Sequence, residues 1–323
     1  MLMYLEVLAG FVLLLGGAEI MVRGAVSVSE RFGISKLVIG MTVVAFGTSA
    51  PELLVSLNAA LSGASGLAIG NVVGSNIANI LLVLGVSGLI LPIVSEKGSL
   101  VKDGLILLVG TSAFILLSLR GTIDLTGGIV LIVLLVAFLY YSYRREASSG
   151  DDTFSDVVDE VSDLEVKSDS IWVQLAYLFG GFAGLTIGSE FLVDGGVEIA
   201  QHFGVSEAVI GLTIIAFGTS LPELAASAMA AFRKHSDVAL GNVVGSNIFN
   251  VVGIVGIVAM VTPLEVPERV LSLDNWAMLL ATLLMMPFMI GGATTISRPV
   301  AGLFFLIYVG YIVSIGFGVT AIF

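Results

Sequence analysis

The sequence predicts an all-α polytopic membrane protein, with ten transmembrane helices in two inverted five-helix repeats. Three observations carry that reading. The 323-residue chain is 57% hydrophobic and only 12% charged, with a mean hydropathy of +1.08; a soluble domain carries roughly 25% charged residues. Its apolar residues gather into runs close to the ~20 residues that cross a hydrocarbon core of about 30 Å. The first half also recurs in the second at a constant offset of 171 positions.

The apolar runs place the spans at about 2–22, 36–61, 67–92, 104–119, 125–143, 171–193, 206–231, 238–262, 275–291 and 300–322. The short alternating segments that build a transmembrane barrel are not visible. The first span contains a small-residue triplet, Gly16-Gly17-Ala18, as a secretory leader does. Glu6, however, stands where a leader's basic residues belong. That span also belongs to the repeat, so it reads as part of the mature chain. The expected domains are a first repeat over 1–143, a linker over 144–170 and a second repeat over 171–323.

Charge gives the orientation. Eleven of the thirteen Lys and Arg fall in the loops after odd-numbered spans, and only Arg120 and Arg269 on the other side. The positive-inside rule then expects both termini outside and the linker cytoplasmic, in a multi-pass protein of the cytoplasmic (inner) membrane. From Asp151 to Asp169 the linker holds eight acids against Lys167, a solvated run that contributes to the net charge of −12. No basic patch suits nucleic acid. Without cysteine there is no disulfide or thiolate chemistry, and no protein partner is evident.

The halves align without a gap from Gly10 to Asn79. GMTVVAFGTSAPELLVS (Gly40–Ser56) meets GLTIIAFGTSLPELAAS (Gly211–Ser227) with 11 of 17 positions identical. GNVVGSNIANI from Gly70 meets GNVVGSNIFNV from Gly241 at 9 of 11. This is a duplication. The offset spans five predicted helices, an odd number, so the halves enter the membrane from opposite sides, as in secondary transporters with sites near the midplane.

Each copy sets a glutamate, Glu52 or Glu223, near the middle of an apolar span. A charge at that depth costs about 2.5–3.5 kcal/mol by insertion scales and marks a ligand or a partner. No Lys or Arg lies at comparable depth, which makes a bound cation the natural counter-charge. Thr48 and Ser49 stand four and three residues before Glu52 and share its face. Pro51 lacks the N–H that would bond the Gly47 carbonyl, and irregular backbone at membrane depth is tolerated where it lines a cavity. Gly218, Thr219, Ser220, Pro222 and Glu223 repeat the arrangement. The second block adds Ser75 with Asn79, and Ser246 with Asn250, each pair four apart. All are hard oxygen donors, which suit Ca²⁺ or Na⁺; Mg²⁺ demands a tight octahedron, and zinc calls for His or Cys. His202 and His235 fall in predicted loops.

Plainer roles exist for some of these residues. Gly70/Gly74 and Gly241/Gly245 have the spacing of close helix packing, and hydroxyls can satisfy preceding carbonyls. Glu19 and Glu190 are repeated too, but near span ends beside Arg23 and Asp194 they read as interfacial.

The doubled motifs GTSAPE (Gly47–Glu52) with GTSLPE (Gly218–Glu223), and GNVVGSNIAN with GNVVGSNIFN, resemble the cation/calcium antiporter superfamily, and within it the sodium/calcium exchangers. The resemblance covers essentially the whole chain. It implies ten helices in two inverted repeats around a central cluster of ion sites. It also implies carboxylate ligands Glu52 and Glu223, hydroxyl ligands Thr48, Ser49, Ser75, Thr219, Ser220 and Ser246, carbonyl ligands Ala45 and Ala216, and an amide at Asn79. Some relatives, the potassium-dependent branch among them, carry aspartate where this chain has Asn250, so independence of K⁺ is expected. The proton-coupled branch looks like Gly-Asn-x-x-Glu in this block, where this chain has Gly74 and Gly245.

The expected activity is therefore electrogenic Na⁺/Ca²⁺ antiport by alternating access. Ca²⁺ and Na⁺ are its substrates, and three Na⁺ per Ca²⁺ is the ratio the resemblance implies. Spans 1 and 6 slide in that family. No cofactor and no enzymatic activity are expected, since Ser49 and Ser220 have no histidine base within the membrane. The rivals are an H⁺/Ca²⁺ antiporter and, more remotely, a cation channel.

Overall fold

A computed structural model describes residues 2–94, 101–148, 170–203, 218–289 and 295–316. Among these, eight helices are long and apolar enough to cross a membrane, and a bent pair makes a ninth candidate. The loop holding Lys97, the acidic run 151–169, residues 317–323 and the segment 204–217 with Ala216 lie outside the described residues.

Helix α1 (Leu2–Phe32) continues past its predicted end at about residue 22. The charges there are matched within the helix and across to the second half. Arg23 donates to Glu19 one turn earlier at 2.7 Å, and Arg233 donates to the other Glu19 oxygen at 2.8 Å. Glu19 thus has arginine partners, in the middle of α1 rather than near its end. The helix ends at Gly33, whose φ of 62° is the left-handed C-terminal stop that favours glycine.

The α1 helix packs along α9 (Ile171–His202) through small residues. Gly10, Gly17 and Gly24 on α1 correspond in the repeat to Gly181, Gly188 and Gly195 on α9. A Cβ at Gly17 would lie 2.7 Å from the Leu185 amide nitrogen, and one at Gly188 2.5 Å from that of Leu14. Only glycine lets two backbones approach this closely. His202, expected in a loop, is instead the last residue of α9.

The second predicted span is broken. It comprises α2 (Lys36–Ile39), a π-helical turn (Gly40–Val44), α3 (Ala45–Thr48) and α4 (Ala50–Leu61), with a bend of 43° between Leu37–Thr48 and Ala50–Leu61. The break falls at Ser49, with φ −87° and ψ 5°. Pro51 then sits in the first turn of α4, where its missing N–H leaves no bond unmade. The second half repeats this: Ser220 has φ −87° and ψ 2° and precedes α10 (Leu221–Phe232), with Pro222 in its first turn. The turns after α4 and α10 also correspond. Gly63 at φ 79° matches Lys234 at φ 62°.

Two helices occupy the centre, each interrupted by a π-helical segment. One runs through α5 (Ser65–Ala78), Asn79–Val83 and α6 (Leu84–Ile90); the other through α11 (Ser236–Ile248), Phe249–Ile254 and α12 (Val255–Val261). Over an 18-residue stretch of each, 78% and 89% of the residues are buried, against 33% in α1 and 28% in α9, so the repeated GNVVGSN block lies deep among the described residues. Gly241 and Gly245 of α11 pack on the backbone of Leu37 and Met41, as their spacing predicts. For Gly70 and Gly74 no described atom lies near a Cβ position; the segment matching Leu37–Met41, residues 208–212, is outside the described residues.

Four further helices complete the described residues: α7 (Val101–Ser118), α8 (Leu125–Ser148), α13 (Asn275–Met289) and α14 (Arg298–Gly316). Two short antiparallel ribbons join the halves. Ile93–Val94 pairs with Thr295–Ile296, and Thr122–Ile123 with Leu264–Glu265.

Candidate functional site

The breaks at Ser49 and Ser220 aim two short helices, α4 and α10, inward by their N-terminal turns. Glu52 and Glu223 lie in those first turns, where the partial positive charge of a helix N-terminus favours an anion. Both glutamates are 0% exposed. Neither Glu52 oxygen meets a hydrogen-bond partner among the described residues, nor does Oε2 of Glu223. The remaining oxygen, Glu223 Oε1, accepts from Ser49 Oγ of the opposite half at 2.8 Å. The two carboxyl groups are within electrostatic reach of one another. Burying two such groups without compensation is expensive, and no lysine or arginine donates to either among the described residues.

The two repeated blocks meet around this pair. Thr48 and Ser49 are buried, as are Ser75, Asn79, Ser220, Ser246 and Asn250. Thr48 Oγ1 lies 3.5 Å from Ser246 Oγ, which joins the hydroxyl rows of the two halves. Ser220 Oγ and both amide atoms of Asn79 and Asn250 meet no partner among the described residues. The Ala45 carbonyl accepts from the Ser49 N–H at 3.0 Å, and Thr48 Oγ1 lies 3.3 Å from it, farther than from Asn242 Oδ1 at 3.1 Å. Thr219 is half-buried and donates to Asn71 Oδ1 at 3.4 Å.

Asn79 and Asn250 both sit in π-helical turns, at Asn79–Val83 and Phe249–Ile254. Such turns concentrate at functional sites because one extra residue per turn re-aims a side chain. Nothing in the apolar periodicity announces them. Two further side chains, Asn71 and Asn242, were missed as well. They bridge the blocks: Asn71 Nδ2 donates to Ser56 Oγ and Asn242 Nδ2 to Ser227 Oγ, each at 3.0 Å. Their signal was present, since Ser56, Asn71 and their counterparts are identical in the two copies.

His235 is buried, but it lies in the connection before α11 rather than in this cluster. Among the described residues no group of three or more His, Cys, Asp or Glu gathers. The donor set is two carboxylates supplemented by neutral oxygens, a composition that suits hard cations in flexible geometry.

Residues 3–144 and 173–317 match the sodium/calcium exchanger protein family. The sodium/calcium exchanger MaX1 of Methanosarcina acetivorans is 32% identical over 327 residues, covering 90% of this chain and 91% of its own. The inner membrane protein YrbG of Escherichia coli is 37% identical over 281 residues, covering 86% and 85%. A solved structure of the sodium-calcium exchanger NCX_Mj, soaked with Na⁺ and Ca²⁺, superposes with a TM-score of 0.83 at 33% identity over 98% of each chain. The matched family is one of transporters with Ca²⁺ and Na⁺ as substrates, not of enzymes. The chain belongs to the sodium/calcium exchanger family and is a helical multi-pass cation/Ca²⁺ antiporter.

Proposed function

We propose that the chain exchanges Na⁺ for Ca²⁺ at one central cluster of overlapping sites, extruding calcium under an inward sodium gradient. The observation that carries this reading is the pair Glu52 and Glu223: fully buried, supplied by two copies of one motif, and without a basic partner among the described residues. The ligands would be these two carboxylates with the hydroxyls of Thr48, Ser49, Ser75, Thr219, Ser220 and Ser246. The amides of Asn79 and Asn250 and the carbonyls of Ala45 and Ala216 would complete the set. Two carboxylates nearly neutralise one Ca²⁺, whereas three Na⁺ leave about one net positive charge, so exchange is electrogenic. Because both ions use overlapping oxygens, only a loaded site is free to change the side it faces.

The architecture that serves this is ten spans in two inverted five-helix repeats, 1–143 and 171–323, joined by the linker 144–170. Supporting it are the matched breaks at Ser49 and Ser220, the matched turns at Gly63 and Lys234, and the odd number of spans in the offset. The close glycine-lined contact of α1 with α9 supports spans 1 and 6 sliding as one unit against the rest. Both termini face outward, the linker is cytoplasmic, and the protein lies in the cytoplasmic membrane. Sodium rather than proton coupling is favoured because Gly74 and Gly245 occupy the place of the proton-coupled branch's extra glutamate. Asn250 in place of aspartate favours independence of K⁺.

Radiolabelled Ca²⁺ uptake into proteoliposomes loaded with Na⁺, with K⁺, or with choline under an imposed pH gradient tests this. Uptake that requires internal Na⁺ and disappears in Glu52→Gln is expected. Uptake driven by the pH gradient alone would make the protein a proton-coupled exchanger instead.

A further inference from the structure

Two hydrogen bonds cross between the halves at corresponding places. Thr48 Oγ1 donates to Asn242 Oδ1 at 3.1 Å, and Thr219 Oγ1 to Asn71 Oδ1 at 3.4 Å. Both threonines and both asparagines match at the 171 offset, so one contact is the repeat image of the other. The direction of the bond follows from the far side of the amide. Asn71 Nδ2 faces the backbone carbonyl of Glu52 at 3.4 Å and Ser56 Oγ at 3.0 Å. A backbone carbonyl only accepts, so the NH₂ must point there and the amide oxygen must point at Thr219. Thr219 is therefore the donor. By the repeat correspondence Asn242 takes the same orientation, its Nδ2 on Ser227 Oγ at 3.0 Å and its oxygen on Thr48.

A hydroxyl has one proton and two lone pairs. A proton given to an asparagine leaves the lone pairs for another electrophile; a free proton can turn toward a cation and repel it. We propose that Asn71 and Asn242 are positioning residues. Each takes the proton of the opposite half's threonine hydroxyl, so that the hydroxyl presents only lone pairs to the transported cation. The arrangement also ties affinity to the assembly of the two halves, because each threonine is oriented by the half it does not belong to. This inference rests on the reading of Thr48 and Thr219 as cation ligands.

The test is Ca²⁺ binding, and its competition by Na⁺, on the purified full-length protein in detergent. The variants are Asn242→Leu, Asn71→Leu, Asn242→Asp, Thr48→Val and the pair Asn242→Leu with Thr48→Val. Asn242→Ala replaces the leucine variant if that does not fold. Losing the acceptor is expected to weaken Ca²⁺ binding about three- to tenfold, the range one hydrogen bond supports. Asn242→Asp keeps the acceptor and is expected to bind no more weakly than wild type. In the pair, Thr48→Val is expected to add little, since both changes act through one hydroxyl. Unchanged dissociation constants in the leucine variants, equal losses in the aspartate and leucine variants, or additive losses in the pair would each overturn the inference while leaving the proposed function standing. A wild type that binds neither ion would overturn both.

Discussion

Glu52 and Glu223 account for why the chain carries one costly segment twice. Each carboxylate is removed from water at a helix N-terminus whose dipole offsets only part of the cost, and in the proposed function a doubly charged guest completes the site. The donor types were legible in the sequence because charge is so scarce there that two unpaired acids in apolar spans stand out. Asn71 and Asn242 were not, because an asparagine beside a packing glycine has an equally good structural reading, and only the Thr–Asn distances separate the two. Asn250 offers a test at this scale. Its amide meets no partner among the described residues, so Asn250→Asp introduces a third carboxylate with little change of shape. The expected outcome is a several-fold lower KM for Ca²⁺ in vesicle uptake, since the added negative charge attracts a divalent cation more than a monovalent one.

At the scale of elements, the hydropathy runs located most helices and blurred their ends. Ion pairing carries α1 past Arg23, and a serine break divides the second span, which hydropathy alone reads as continuous. The π-helical turns were invisible because they alter the hydrogen-bond pattern of a helix without altering its composition. Lys234 is informative here. It holds a left-handed backbone at φ 62°, where the first half uses Gly63. A non-glycine residue in that region costs about 1–2 kcal/mol. Lys234→Gly should raise stability by about 0.5–1 kcal/mol after the added chain entropy is subtracted, measurable as a higher thermal midpoint in detergent. The opposite result is expected at the packed face of α11. A Cβ on Gly245 would collide with the Met41 backbone. Gly245→Ala should therefore lower the midpoint, by roughly the 1–3 kcal/mol of an overpacked core.

Across the whole molecule the offset of 171 residues is the organising fact. It was read from identity alone, and it reappears as paired geometry: two serine breaks, two crossing Thr–Asn bonds, and two Asn–Ser bonds within the halves. Its breaks are as informative as its matches. Arg23 and Arg233 hold Glu19, whereas the corresponding positions around Glu190 are Asp194 and Ser62, so the two ends of the molecule are clamped unequally. The proposed electrogenic exchange would be a property of the whole assembly. Moving one net charge through 100 mV is worth about 2.3 kcal/mol. Ca²⁺ uptake into Na⁺-loaded vesicles carries one net positive charge outward, so it should fall when the interior is made negative with a K⁺ diffusion potential, and rise when it is made positive. Equal uptake under both potentials would mean electroneutral exchange.

The central claim is that the two buried glutamates form one cation site. The measurement that meets it most directly is Ca²⁺ binding to purified wild type, Glu52→Gln, Glu223→Gln and the double variant, with folding checked by thermal midpoint. Each single variant is expected to lose Ca²⁺ binding nearly as completely as the double, because either amide leaves the remaining carboxylate unable to neutralise the ion. Folded single variants that bind Ca²⁺ as wild type does would contradict the account, and would place the ion elsewhere in the molecule.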